Sequence, residues 1–305
     1  MLINKQKTEI QNIIINRLAK KTVSNFIVHF SVLLFTFYFL PFTVNAQKIA
    51  ILTPEKNAEG ENFAEKLETW LFREFKILDK SLSEAAFNSS IYEKPFNLSL
   101  EESKNIGAAI GCDFFLLIQS KNLRRFSLEK KEYYESFAAV YVVSSRSGRL
   151  VFWKLVKGEA KITDEAEKLL FNEAEKLGSE IAEKIKKAEK TEISEKNAAK
   201  LEELPEDDSP AAKNFRPPLP FKRIRPQYTE IANLYVVEAT VDILLDVDET
   251  GKILSTEISR WAGFGLDESV IKTVMEMNWR PASRAEKTLP MSILLRYNFK
   301  KLDRD

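Results

Sequence analysis

Ala239-Thr240-Val241-Asp242-Ile243-Leu244-Leu245-Asp246-Val247-Asp248-Glu249-Thr250-Gly251-Lys252 is the stretch whose reading decides the fold. In an extended chain, Ala239, Val241, Ile243, Leu245 and Val247 fall on one side, and Glu238, Thr240, Asp242, Asp246 and Asp248 on the other. A period of two puts one face on a core and the other in water. The polar run after Val247 contains Gly251, which takes positive φ at no steric cost and so closes a hairpin. Lys252 to Arg260 is the returning strand, with Leu254, Thr256 and Ile258 on one side, and Gly263 and Gly265 break it.

Downstream, the spacing predicts a helix over 266–277. Leu266, Val270, Val274 and Met277 share a stripe, and Asp267 and Glu268 lie in the first turn, where the helix dipole favours negative charge. Pro281 ends any helical continuation after Trp279. A last strand runs from Leu289 to Phe299. Its inward row is Leu289, Met291, Ile293, Leu295, Tyr297 and Phe299; Ser292, Arg296 and Asn298 face outward, interrupted by Leu294. A hairpin, one helix and one further strand cannot close a sheet, so an edge stays open. Its unpaired N–H and C=O groups can take a strand from another chain, unless a neighbouring domain or a homodimer partner covers them.

Pro226-Gln227-Tyr228, Ala232, the alternating strand, the Asp-x-x-Gly turn, Leu266-Asp267, Trp279-x-Pro281-Ala282 and the strand ending at Phe299 together resemble the TonB C-terminal domain. The resemblance covers residues ~220–300 and implies a periplasmic module that engages outer-membrane transporters or similar envelope proteins, partly by strand pairing. The partner-binding residues it points to are Tyr228, Leu289, Met291, Ser292, Ile293, Leu294, Leu295, Arg296 and Tyr297. Two positions depart from the family pattern: Tyr228 is followed by Thr229 rather than Pro, and Ala239 stands where the first strand usually begins with Gly.

At the other end, residues 1–25 are polar and basic, and Phe26 to Val44 is almost wholly apolar. Val44-Asn45-Ala46 before Gln47 fits a signal-peptidase site. The segment is therefore either a signal cleaved near Ala46 or a membrane anchor over residues ~26–44. The basic residues before it hold the N-terminus in the cytoplasm, so either way the remainder lies in the periplasm. His29, the one histidine, sits in this segment. The resemblance implies an anchor residue facing an inner-membrane proton-driven motor, but Ser24 lies five positions before His29 and the two would not share a helix face. The plainer reading is a histidine near the start of a signal segment.

Residues 47–190 read as a separate α/β domain of order β-α-β-α-β-β-β-α. Its elements are the strand Ile49–Leu52, a helix striped by Phe63, Leu67, Trp70 and Leu71, the strand Lys76–Asp79, and a helix over 101–110 capped by Ser99 with Glu102 in the capping-box position. Strands follow at Phe114–Ile118, Tyr133–Ser144 and Leu150–Gly158, then a long helix from Asp164 to Ala188 capped by Thr163. The Ile-Ala-Ile-Leu start, the Ile-Leu-Asp strand, the Gly111-Cys112-Asp113-Phe114 turn and the Ser-Gly hairpin give this part a weaker resemblance to TolB N-terminal and CsgG-like periplasmic domains. Residues 191–225 form a charged, then Pro-rich, semi-rigid linker, and residues 226–305 the C-terminal domain. The fold class expected is α+β, with two domains.

A net charge of +1 gives no electrostatic case for nucleic acid. With no histidine after residue 29 and a single cysteine, the periplasmic part lacks His-based triads and thiolate or histidine metal sites. Cys112 reads as a packed thiol. Asp242, Asp246, Asp248 and Glu249 read as a solvated strand face and its turn rather than a calcium site. The chain is thus expected to be a binding protein, not an enzyme, with no cofactor. The alternative to a transport-coupling partner is a soluble periplasmic scaffold or assembly factor without energy transduction.

Overall fold

The computed structural model describes residues 46–194, 201–202, 204–205 and 213–301. His29 and the apolar segment over 26–44 lie outside the described residues. No helix among the described residues is long and apolar enough to cross a membrane.

The N-terminal half is built on a five-stranded sheet. Lys48–Leu52 (β1) pairs in parallel with Lys76–Ile77 (β2) and with Phe114–Arg125 (β3); Tyr133–Ser144 (β4) and Leu150–Ala160 (β5) follow antiparallel, giving the order β2-β1-β3-β4-β5. The inner strands are apolar on both faces, so both must be covered. Ile49, Ile51, Leu116, Val140 and Val142 pack on two helices, Ala58–Leu71 (α1) and a later one whose buried stripe is Ala174, Leu177, Ile181 and Ile185.

Three local departures have physical causes. A helix over Lys80–Ser89 (α2) stands where no element is expected. Asp79 caps it by accepting the Leu82 N–H, but Leu82 is exposed and Ser83 buried, so apolar periodicity conceals it. Leu100–Ile110 (α3), by contrast, stands where expected, with both hydrogen bonds of the Ser99–Glu102 capping box. The final helix is two, Thr163–Asn172 (α4) and Ala174–Ser194 (α5), because the Glu173 N–H turns back to the Leu170 carbonyl in a tight turn. Its cap is Ile162, with no side-chain bond, so Thr163 is the first helical residue rather than the cap.

The C-terminal half begins inside the Pro-rich stretch. Phe215–Arg216 (β6) and Leu219–Pro220 (β7) are short strands, followed by the helix Glu230–Leu234 (α6). Ala239–Val247 (β8) and Ile253–Arg260 (β9) form the expected hairpin, closed by Gly251 at φ +87°. A Cβ on Gly251 would lie 2.2 Å from the Trp279 carbonyl oxygen, so this turn accepts only glycine. Leu266–Met275 (α7) follows. Trp279–Arg280 (β10) pairs with β7, and Ala282–Arg284 (β11) pairs with β6 and with Lys287–Leu289 (β12).

The last strand is Met291–Phe299 (β13), not Leu289–Phe299. Leu289 belongs to β12, where it faces Ala282, and Pro290, with no N–H to give, separates the two strands. The β11–β12 hairpin turns at Ala285 and Glu286, both at positive φ.

The two halves share one core. The second face of the five-stranded sheet (Ala50, Leu52, Phe115, Leu117, Tyr141 and Val143) joins one buried cluster with Val241, Ile243, Leu245, Trp261, Phe264 and Val270 of the C-terminal half. Tyr141 lies 5.5 Å from the Trp261 ring, and Trp153 4.8 Å from that of Phe264. The described residues from 46 onward accordingly form one compact unit. Polar groups fix the joint. Asn97 donates to the carbonyls of Thr240 (2.8 Å) and Trp261 (2.6 Å) and accepts the Thr240 N–H (2.9 Å). The Glu135 carboxylate, buried, accepts from Arg125 (3.0 Å) and from the Tyr235 hydroxyl (3.1 Å).

Candidate strand-pairing edge

The small sheet has the order β13-β8-β9, so among the described strands β13 is an edge, laddered to β8 on one side only. The pairing runs through nine residue pairs, from Met291 opposite Val247 to Phe299 opposite Ala239. Met291, Ile293 and Phe299 are buried on the inner face, while Leu295 and Tyr297 are half-buried.

The outer face is a row of cross-strand polar pairs. Arg296 grips Asp242 with two hydrogen bonds, Nε to Oδ1 at 2.7 Å and Nη2 to Oδ2 at 2.8 Å. Ser292 donates to Asp246, and the Thr240 hydroxyl donates to the Asn298 amide oxygen at 2.9 Å. Asp242 also meets Arg260 at 3.6 Å. These acids therefore serve the sheet. Among the described residues, no group of three His, Cys, Asp or Glu side chains is placed to hold a metal. Asp248 binds its own turn, accepting the Thr250 hydroxyl (2.6 Å) and the N–H groups of Lys252 (2.9 Å) and Thr250 (2.8 Å), and these bonds, the hydroxyl first, hold its carboxyl below the usual range. Leu294 is an exposed apolar side chain on this face.

The backbone on the other side of β13 can be read from one bond. The Ser292 N–H donates to the Glu202 carbonyl at 3.0 Å, away from β8. Backbone groups of alternate residues in an antiparallel strand point the same way. The N–H and C=O groups of Leu294, Arg296 and Asn298 therefore face the open side too, and those of Ile293, Leu295 and Tyr297 face β8.

Tyr228 does a different job from the other residues picked out in the sequence. Its hydroxyl lies 3.1 Å from the Ala232 carbonyl and 2.9 Å from that of Val237, and its ring stacks on Phe299 at 6.3 Å. It pins α6 and the entry to β8 against the end of β13. Thr229, at the position where the family pattern has Pro, caps α6 by accepting the Ala232 N–H at 3.1 Å and donates to the Phe264 carbonyl at 2.6 Å. Ala239 is buried at the start of β8. Leu289 stands apart in the β11–β12 hairpin.

Residues 224–301 match the family described as Gram-negative bacterial TonB protein C-terminal.

These residues form a TonB C-terminal domain.

Among solved structures, the chain is similar to the solution structure of the Pseudomonas aeruginosa TonB C-terminal domain, at 16% identity and a TM-score of 0.26, over 35% of this chain and 100% of that one. It is also similar to lipoprotein GNA1162 from Neisseria meningitidis, at 11% identity and a TM-score of 0.26, over 48% of this chain and 98% of that one. A third is the LpoB C-terminal domain from Salmonella enterica, at 13% identity and a TM-score of 0.25, over 40% of this chain and 87% of that one. At these values the family match alone carries the assignment. No curated protein matches the chain.

The TonB C-terminal domain here has two features that sequence reasoning missed, the contacts of Glu202 and of Arg284. Arg284 Nη2 bonds Glu202 Oε1 at 2.6 Å, beside the Ser292 bond. Glu202 lies in a run that reads as charged spacer, and nothing in its residue pattern ties it to a strand that begins 89 positions later.

Proposed function

We propose that this chain is a periplasmic envelope protein that captures an extended segment of a partner, an outer-membrane transporter or another envelope protein, along the open side of β13. The observation that carries the reading is the edge itself. It is a nine-residue strand fixed to β8 on one side, with the backbone groups of Leu294, Arg296 and Asn298 directed to the other. The reading assigns no chemistry and no cofactor to the chain. Coupling of energy to outer-membrane transport is the finer form of this reading, with His29 as its anchor residue and an inner-membrane proton-driven motor as the second partner.

A soluble periplasmic scaffold is the second reading. It is favoured by the shared core, which joins the TonB C-terminal domain to the N-terminal sheet instead of leaving it on a long tether. A homodimer through β13 would satisfy the same edge.

A photo-crosslinking residue placed at Asn298, exposed on the same strand, tests capture in cells. A crosslinked envelope protein, lost in a folded Leu294→Pro variant, is the expected result. Equal crosslinking by that variant would remove β13 as the capture edge. Fractionation and the N-terminal residue of the mature protein separate the two forms. A start near Gln47 in the soluble periplasm leaves the scaffold, and retention in the inner membrane leaves the transducer.

A further inference from the structure

The start of the β13 edge is not empty. The Glu202 carbonyl accepts the outward Ser292 N–H at 3.0 Å, and the Glu202 carboxylate accepts from Arg284 Nη2 at 2.6 Å. Backbone and side chain thus hold one residue at two points, and the backbone contact is of the kind that an added strand makes. Arg284 is built to receive an acid. It stands on β11, its guanidinium lies 5.7 Å from the Phe215 ring centroid, and its side chain is about two-thirds shielded. Its Nε is buried with no hydrogen-bond partner among the described residues. Along β13, Arg296 places a second guanidinium on the outer face, with its side chain 60% exposed.

We propose that the Ser292–Arg284 corner is the anchoring site for a carboxylate-bearing extended segment, that Glu202 fills it in cis in the free protein, and that a partner strand bearing an acid at the matching position displaces Glu202. The inference rests on the reading of β13 as the capture edge. It adds the partner's chemistry, an acid at one end of an extended stretch, and a competitor built into the chain. With Glu202 in place, an incoming strand finds free backbone groups only from Leu294 onward. Once Glu202 leaves, it gains the Ser292 bond and the Arg284 ion pair.

The test needs no natural partner. A labelled peptide copying residues 198–206, Ala-Ala-Lys-Leu-Glu-Glu-Leu-Pro-Glu, is titrated into the full-length protein and its variants. Glu202→Lys should free the corner. The Ser292 amide should then exchange with deuterium about tenfold faster while the Ile293 amide keeps its protection, and the peptide should bind about tenfold tighter than to the unaltered protein. Arg284→Glu should lose the peptide, and a peptide with Lys at the position of Glu202 should recover it. Unchanged Ser292 exchange in Glu202→Lys, or peptide binding indifferent to Arg284→Glu, would overturn the proposal. Because these readouts use the isolated protein, they stand apart from the capture reading, whose failure would show as Leu294→Pro crosslinking undiminished in cells.

Discussion

Asn97 copies a strand for Thr240: it accepts the Thr240 N–H at 2.9 Å and donates to the Thr240 carbonyl at 2.8 Å, across 143 positions of sequence. The same amide reaches the Trp261 carbonyl, so one side chain from the N-terminal half satisfies three backbone groups of the TonB C-terminal domain. All lie at a buried joint, where an unmet donor or acceptor costs about 1–3 kcal/mol. Asn97→Ala should therefore lower stability by about 2–4 kcal/mol in urea unfolding. Probes in both halves should shift together, because the core is common.

Asp267 gives a pH dependence. Its carboxylate is buried and accepts the N–H groups of Ala262 (2.9 Å) and Gly263 (2.8 Å). Burial dominates over these bonds, with Glu268 adding to it, and pushes the carboxyl up from 3.8 to about 7. The folded protein then keeps a proton that the unfolded chain has released, so stability falls as pH rises from about 4 to about 7 and is level above that. The span amounts to a few kcal/mol, at about 1.4 kcal/mol per pH unit. Asp267→Asn should flatten the slope of thermal stability against pH in that window.

Neighbouring residues of β13 should respond oppositely to proline. The Ile293 N–H faces β8 and that of Leu294 faces out. Ile293→Pro should break the ladder and cost about 3 kcal/mol or more. Leu294→Pro should leave the fold measurably intact by circular dichroism and impair only what pairs with the edge.

The β11–β12 turn offers a gain. Ala285 and Glu286 both sit at positive φ, +48° and +66°, a geometry that costs side-chain-bearing residues about 1 kcal/mol each. Replacing the pair with Asn-Gly should raise stability by about 1–2 kcal/mol. An unchanged urea midpoint would show that the strain is not stored there.

That turn also illustrates what the sequence could and could not disclose. Strands whose apolar residues alternate, such as β8, and helices with a stripe or capping box, such as α3, follow from local chemistry and stand where the pattern puts them. A hairpin whose turn is Ala-Glu carries no Gly or Asn to announce it, and so Leu289 reads as the start of β13. The edge was legible because three strands and one helix cannot close a sheet. The joint was not. Asn97, Trp261 and Phe264 look like ordinary loop and core residues until the second face of the N-terminal sheet finds its cover, and sequence periodicity holds no record of contacts between segments more than a hundred residues apart.

The nine-pair ladder between β13 and β8 also has a mechanical meaning. Its hydrogen bonds run perpendicular to the strands. A partner strand pulled along the direction of β13 would load them in shear, all at once, rather than peeling them singly. From β8 the load passes through Val241, Ile243 and Leu245 into the aromatic cluster around Tyr141 and Trp261, and from there into a five-stranded sheet backed by α1 and α5. Tension applied at the edge would therefore reach the core that both halves share, and would not fall on residues 224–301 alone.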